Sequence, residues 1–271
     1  MNDEDRLSKH IASTYHQLRI GFCAIALIFP ILLWMGGRVI GHPDTQGRPL
    51  LLQHSMSAYY HAESNDQVKD YADPERGVMR NYFVGLLFGL GIILILYKGY
   101  SGKENLALNL TGFMAIGVAL FPTSWGADYP GLEYKIGFLE TSVHGTCAVL
   151  LFVCMGYVCI FRAKDTLKLV KDPNNARRYL WTYRALGISM IASPITAFIF
   201  DSLSHGTSYV FWLEAAGIWS FSLYWFFKSI ELAGTDAERK AICKELNVSV
   251  TPGAVPMTTQ VEITEKRDTS P

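Results

Sequence analysis

Apolar residues are gathered along this chain into long blocks that polar segments separate. Six blocks dominated by apolar side chains cover residues 20–40, 82–97, 106–121, 136–161, 179–200 and 208–227. A helix needs roughly 17–25 apolar residues to span a bilayer, and the two shorter blocks can extend into their flanks. The pattern predicts an all-α, polytopic membrane protein with a six-helix transmembrane bundle.

The polar segments divide the chain into three regions. We predict an N-terminal arm (1–19), a transmembrane domain (20–231) that contains a long loop (41–80), and a C-terminal tail (232–271). In the tail, Thr235 and Glu238 have the spacing of a capping box, which predicts a short helix. The Thr- and Pro-rich remainder has no apolar periodicity and is predicted to be disordered.

Basic residues are distributed unequally between the two sides that six spans would define. One side, which includes both termini, carries 17 lysines and arginines, and the opposite side carries six. Because cytoplasmic loops are enriched in Lys and Arg, both termini are predicted to be cytoplasmic and the 41–80 loop to face outward. The glycines of Gly85-x-x-x-Gly89 would allow a second helix to approach closely, within the chain or in a homo-oligomer.

Composition narrows the classes of function. The 24 basic and 24 acidic residues cancel, so the chain lacks the basic balance of a nucleic-acid-binding protein. Only 18% of the residues are charged, against about 25% in a typical soluble domain. Membrane lipids are therefore the expected partners, and nucleic acid is not.

Ionisable side chains inside the predicted spans are the first candidates for chemistry, because placing them in a bilayer is unfavourable. Five meet this description: Glu140, His144, Arg184, Asp201 and Glu214. All except Arg184 belong to the outer half under the predicted topology. The outer loop and the turn before the last span add further histidines there.

This grouping predicts a metal-assisted hydrolytic site at the outer membrane surface. Neutral imidazoles are suitable zinc ligands, and an open coordination position activates water. We predict His61, His144 and His205 as zinc ligands. Asp201 would orient a ligand or act as the base, and Ser57 or Glu140 would polarise the substrate.

Structural roles alone could also explain why these ionisable residues are present. Glu140 can pair with His144, Asp201 can cap the turn before the last span, and the loop histidines can be interfacial. Buried polar groups need partners whether or not they catalyse a reaction. The predicted ligands are also scattered, without the compact spacing of His-Glu-x-x-His.

A short motif in the outer loop adds a family resemblance. Ser57-Ala-Tyr-Tyr-His61 resembles the Ser-x-x-x-His motif of the ceramidase, adiponectin-receptor and hemolysin III group of membrane hydrolases. The resemblance implies a zinc site, seven spans and action on lipid amides or related substrates. It covers five residues, and Asp201-x-x-x-His205 stands where that family has a late His-x-x-x-His.

Two further classes of function remain open on the sequence. Glu140, Arg184, Asp201 and Glu214 could line the polar path of an oligomeric channel or transporter. Alternatively, the outer loop could bind a ligand that the basic connection 162–178 and the tail report inside, as in a sensor or scaffold. A hydrolase acting on a lipid or lipid-like substrate is the first hypothesis of the three.

Overall fold

The structure is a computed structural model that describes residues 3–41, 50–62, 77–121, 123, 135–136, 141–203 and 209–235. Its helices are α1 (Asp3–Ile31), α2 (Gly37–Val39), α3 (Val78–Leu96), α4 (Gly102–Leu120), α5 (Val143–Tyr157), α6 (Lys164–Leu167), α7 (Pro173–Leu203) and α8 (Tyr209–Ala233). Leu32–Gly36 and Val158–Arg162 are π-helical, and Ser57–Tyr60 forms a 3₁₀ turn. Two short strands, β1 (Lys135–Ile136) and β2 (Thr141–Ser142), pair antiparallel.

The all-α prediction is confirmed, and each apolar block corresponds to one long helix. Within the described residues, four helical segments are long and apolar enough to cross a membrane: Arg6–Val39, Val78–Leu96, Val143–Leu167 and Tyr209–Ala233. The other two long helices, α4 and α7, begin with polar turns that contain Lys, Arg, Glu or Asn. The predicted tail helix after residue 235 lies outside the described residues.

Two helix starts differ from the apolar blocks for local reasons. Helix α1 begins at Asp3, so most of the predicted N-terminal arm forms the first turns of this helix. The fourth block begins at Ile136, yet α5 begins only at Val143. The Ser142 hydroxyl accepts the Gly145 N–H at 3.0 Å and caps α5 there.

The six long helices form a closed ring. Along this ring α1 packs against α8, α8 against α7, α7 against α5, α5 against α4, α4 against α3, and α3 against α1. Apolar side chains from every one of these helices meet in the middle of the ring, where residues such as Phe22, Leu108 and Met190 are fully buried. The bundle therefore has one continuous core and two ends.

Glycines set the closest helix contacts in the ring. A Cβ atom added to Gly91 of α3 would lie 2.7 Å from the carbonyl oxygen of Gly112 in α4, and one added to Gly112 would lie 2.5 Å from that of Gly91. Gly156 of α5 and Gly187 of α7 form a similar pair. A Cβ atom added to either one would lie 3.0 Å from the carbonyl oxygen of the other. Small residues at these crossings let the backbones approach, as in other membrane bundles.

A proline interrupts the backbone hydrogen bonding of α1 where this helix packs on α8. Pro30 has no N–H, so the helix cannot make the usual hydrogen bond at this position, and the π-helical turn Leu32–Gly36 follows. The indole Nε1 of Trp219 in α8 donates to the Leu27 carbonyl oxygen at 3.2 Å. A side chain of the neighbouring helix thus binds the backbone of α1 one turn before Pro30.

Replacing Gly91 with alanine tests the α3–α4 contact. We expect Gly91→Ala to lower the free energy of unfolding by about 1–3 kcal/mol, since the new methyl group overlaps the Gly112 carbonyl. Gly21→Ala is the matched control, because a Cβ atom there meets nothing within 4 Å. The control should be neutral or stabilising by up to about 1 kcal/mol. Equal stability of the two variants in denaturant titrations would contradict the contact.

Candidate functional site

Residues 50–62, called here segment 50–62, are held against the first turns of α8. The Phe211 N–H donates to the His54 carbonyl oxygen at 2.8 Å. The Met56 N–H donates to Oε2 of Glu214 at 2.6 Å. A carboxylate bound by a backbone N–H makes a strong, charge-assisted hydrogen bond. Glu214, which the sequence placed inside the last span, therefore anchors this segment.

Local hydrogen bonds shape the 3₁₀ turn of segment 50–62. The Ser55 hydroxyl accepts the Ala58 N–H at 3.1 Å and lies 3.2 Å from the Ser57 hydroxyl. Tyr59 is buried against the ring of Phe211, and this burial raises the pKa of its phenol. The turn therefore fixes Ser57 beside a second hydroxyl and directs the chain toward His61.

His61 and His144 are both anchored to one short stretch after α4. Nε2 of His61 lies 3.0 Å from the Thr123 carbonyl oxygen, and Nδ1 of His144 lies 2.8 Å from the Phe121 carbonyl oxygen. A carbonyl oxygen can only accept, so each of these ring nitrogens carries the proton. In a neutral imidazole the other nitrogen then carries the lone pair. This arrangement resembles metal-ligating histidines, whose second nitrogen donates to a carbonyl or carboxylate.

The surroundings of His61 favour the neutral ring. Burial lowers its pKa, and the charge of Arg80 acts in the same direction, while the hydrogen bond to Thr123 opposes them. A histidine with a pKa below its ordinary value of about 6.5 is mostly unprotonated at pH 7. His61 is therefore in the protonation state that a metal ligand requires.

The structure brings together some of the predicted site residues and leaves others undescribed. Ser57, His61 and His144 lie at one end of the ring, called here the histidine end. Glu140 and His205 lie outside the described residues, so the predicted Glu140–His144 pair does as well. Within the described part of the chain, no group of three His, Cys, Asp or Glu side chains could hold a metal ion.

Asp201 belongs to the histidine end by its position in the backbone. The Ser193 hydroxyl of α7 donates to the Leu213 carbonyl oxygen of α8 at 2.7 Å, which aligns these two antiparallel helices. Asp201 follows Ser193 by about two helical turns and lies in the last turn of α7, about one turn beyond the level of the start of α8. Its side chain is not among those described.

A buried ionic cluster at the opposite end of the ring was not predicted from the sequence. This lysine cluster consists of Thr166, Tyr183, Lys228 and Glu231. Lys228 and Glu231 are each 2% exposed, and Nζ lies 3.1 Å from Oε2. Tyr183 and Thr166 donate to the two carboxylate oxygens at 2.5 Å each. The cluster joins α6, α7 and α8.

Two of the 17 basic residues that the sequence analysis assigns to the side of the termini are buried in helices. Lys228 lies inside α8, which continues to Ala233. Arg19 is fully buried in α1, and its Nη1 atom lies 3.4 Å from the Tyr97 hydroxyl. The sequence feature that could have indicated the Lys228–Glu231 ion pair is the spacing of these two residues by three positions on one helix.

Glu104 adds a second buried carboxylate at the end of the ring that holds the lysine cluster, called here the lysine end. It lies in the first turn of α4 in a capping arrangement: the Ser101 hydroxyl accepts the Glu104 N–H at 3.3 Å, and Oε2 of Glu104 accepts the Tyr100 N–H at 3.0 Å. Lys228 also interacts with it electrostatically. These contacts account for Glu104 as a helix cap, with no chemistry implied.

Comparison with known proteins adds no family to this description. No protein-family model, curated protein or solved structure matches this chain. The class of the protein therefore follows from its fold: an all-helical chain whose described part contains four segments able to cross a membrane.

Removing one partner of the Lys228–Glu231 pair should be more harmful than removing both. Lys228→Met leaves a buried carboxylate without its cation, and we expect it to lower the free energy of unfolding by about 3–5 kcal/mol. The double variant Lys228→Met, Glu231→Leu should lose less, because no buried charge remains. Lys103→Met, at an exposed position, is the control. Denaturation in detergent measures all three, and a single variant as stable as the control would refute the pair.

Proposed function

We propose that the chain is an integral membrane protein in which all six long helices span the bilayer and both termini are cytoplasmic. The closed ring supports this proposal, because α4 and α7 each pack between two helices that are apolar enough to cross a membrane. The excess of basic residues at the lysine end and in the tail supports the orientation. Under this topology the histidine end faces outward.

We propose further that the protein is a metal-dependent hydrolase acting on a lipid or lipid-like substrate. One observation carries this proposal: His61 and His144 are 83 positions apart in sequence, yet both donate to carbonyls of the same three-residue stretch. Anchoring of this kind would orient two imidazoles for one metal ion. The segment Ser57–His61 resembles a motif of zinc-dependent membrane hydrolases, which agrees with this proposal.

The proposed roles keep the residues predicted from the sequence. His61 and His144 would hold a zinc ion together with His205, and Asp201 would orient a ligand or accept a proton. Ser57 or Glu140 would donate to or polarise the carbonyl of the substrate. A zinc ion held by imidazoles lowers the pKa of bound water and so supplies a nucleophile at neutral pH.

Exposed apolar side chains near segment 50–62 support a lipid as the substrate. Leu51 of this segment is 71% exposed, and Val39, at the end of α1 and its short extension α2, is 80% exposed. Gly37 of that extension lies against Tyr59, so both exposed side chains belong to segments that meet at the histidine end. A lipid could reach a site placed there from the bilayer without crossing a polar surface.

Metal content tests the hydrolase proposal. We expect about one zinc ion per chain in the purified protein, and His61→Ala and His144→Ala should each weaken zinc binding by at least roughly tenfold. His10→Ala, which removes an exposed histidine of α1, is the matched control and should bind zinc like the wild type. Elemental analysis and titration with a chelator give both quantities. Zinc at background level in the wild type, or equal affinity in all three variants, would reject the proposal.

The alternative is an oligomeric channel or transporter, and one observation favours an oligomer. Gly85 and Gly89 of α3 face open space, since a Cβ atom on either would meet nothing within 4 Å. A face of this kind allows a second α3 helix to approach. If it does, Gly85→Leu with Gly89→Leu should convert an oligomer into a monomer in detergent, whereas Gly21→Leu should not. A wild-type protein that is already monomeric would refute this alternative.

A further inference from the structure

One face of α7 carries basic and aromatic side chains that the proposed hydrolase does not use. Arg177, Trp181, Arg184 and Ile188 follow one another at helical spacing and therefore share this face. Trp181 is 59% exposed and Ile188 is 60% exposed, while Tyr183 and Met190 on the opposite face are fully buried. The stripe formed by Arg177, Trp181, Arg184 and Ile188 points away from the core and is called here the arginine stripe.

Arg184 lies deeper along the helix than the other basic residues near the start of α7. It follows Arg178 by six positions, which is about 9 Å along the axis. Its guanidinium lies 5.6 Å from the centre of the Trp181 ring, a cation–π contact. Among the described residues, Arg184 has no other side-chain partner. If α7 spans the bilayer as proposed above, Arg184 lies within it, and a cation there is unfavourable unless an anion accompanies it.

Among the described residues, no carboxylate pairs with Arg184. Residues 173–200 contain neither Asp nor Glu. Nearby acids at the same end of the ring have partners of their own: Asp165 pairs with Arg162, and Glu231 pairs with Lys228. The anion must therefore come from outside the described part of the chain.

We propose that the arginine stripe binds an anionic glycerophospholipid, with the lipid phosphate on Arg184. A guanidinium binds a phosphate through two parallel hydrogen bonds, and basic sites between or beside membrane helices on the cytoplasmic side hold such head groups. Under the proposed topology, Trp181 would lie near the lipid glycerol, as interfacial tryptophans do, and Ile188 and Ile195 would continue the stripe along an acyl chain. Arg177 adds a second positive charge nearer the water.

This lipid site is independent of the proposed hydrolase. It lies at the lysine end, where α7 begins, and the candidate metal ligands lie at the histidine end. Loss of zinc binding would leave the arginine stripe unchanged, and loss of lipid binding would leave the metal content unchanged. The two proposals can therefore fail separately.

Native mass spectrometry of the full chain in detergent tests the site with two lipids, phosphatidylglycerol and phosphatidylcholine. We expect the wild type to bind phosphatidylglycerol more tightly than phosphatidylcholine. Arg184→Gln should weaken the binding of phosphatidylglycerol by roughly tenfold, because a charge-assisted hydrogen-bond pair is lost. Lys103→Gln removes an exposed charge at the same end of the ring and should change binding by less than about twofold.

Two results would overturn the proposal. One is equal binding of both lipids by the wild type, as expected if Arg184 only extends to water. The other is equal affinity for phosphatidylglycerol in the wild type and Arg184→Gln. Should Arg184→Gln fail to fold, Arg184→Lys and Trp181→Leu decide the question. Weaker binding in both supports the site, and unchanged binding in either one contradicts it.

Discussion

The structure depends on one constraint: in an apolar surrounding, a polar group needs a hydrogen-bonding or charged partner. Water is absent there, so an unpaired backbone or charged group is strongly unfavourable. The middle of the ring contains mainly apolar side chains and glycines, and hydroxyl groups there bond to backbone carbonyls or to one another. Polar groups collect at the two ends, where the helices begin and end. Both the histidine end and the lysine cluster follow from this separation.

At the two ends the same constraint produces different arrangements. The lysine cluster is closed, since Lys228, Glu231, Tyr183 and Thr166 satisfy one another. At the histidine end, α4 stops at Leu120, and carbonyls beyond a helix end need donors from elsewhere. His61 and His144 supply them through one ring nitrogen each. Each imidazole is thereby held in one orientation by a backbone carbonyl, whereas Lys228 and Glu231 bind each other.

Apolar blocks were enough to predict the helices, because a helix in a membrane needs length and apolar side chains more than any particular sequence. They were not enough for the helix starts: α5 begins at the Ser142 cap and not at Ile136, and α1 includes most of the polar arm. Ser57, His61 and His144 were predicted as site residues because of their side-chain chemistry. In the structure, His61 and His144 both bond to backbone carbonyls just after α4. The carbonyls that anchor them, the Glu214 bond to segment 50–62 and the partners of Lys228 depend on which helices become neighbours. One sequence does not contain that information, so the partners of Lys228 could not be predicted from it.

We propose that segment 50–62 is folded onto the bundle so that His61 and His144 bind one metal ion. X-ray absorption at the zinc edge of the purified protein tests this claim most directly. The account predicts nitrogen neighbours at about 2.0–2.1 Å, with the outer scattering of at least two imidazole rings. Zinc surrounded by sulfur or by oxygen alone, without imidazole scattering, would contradict it.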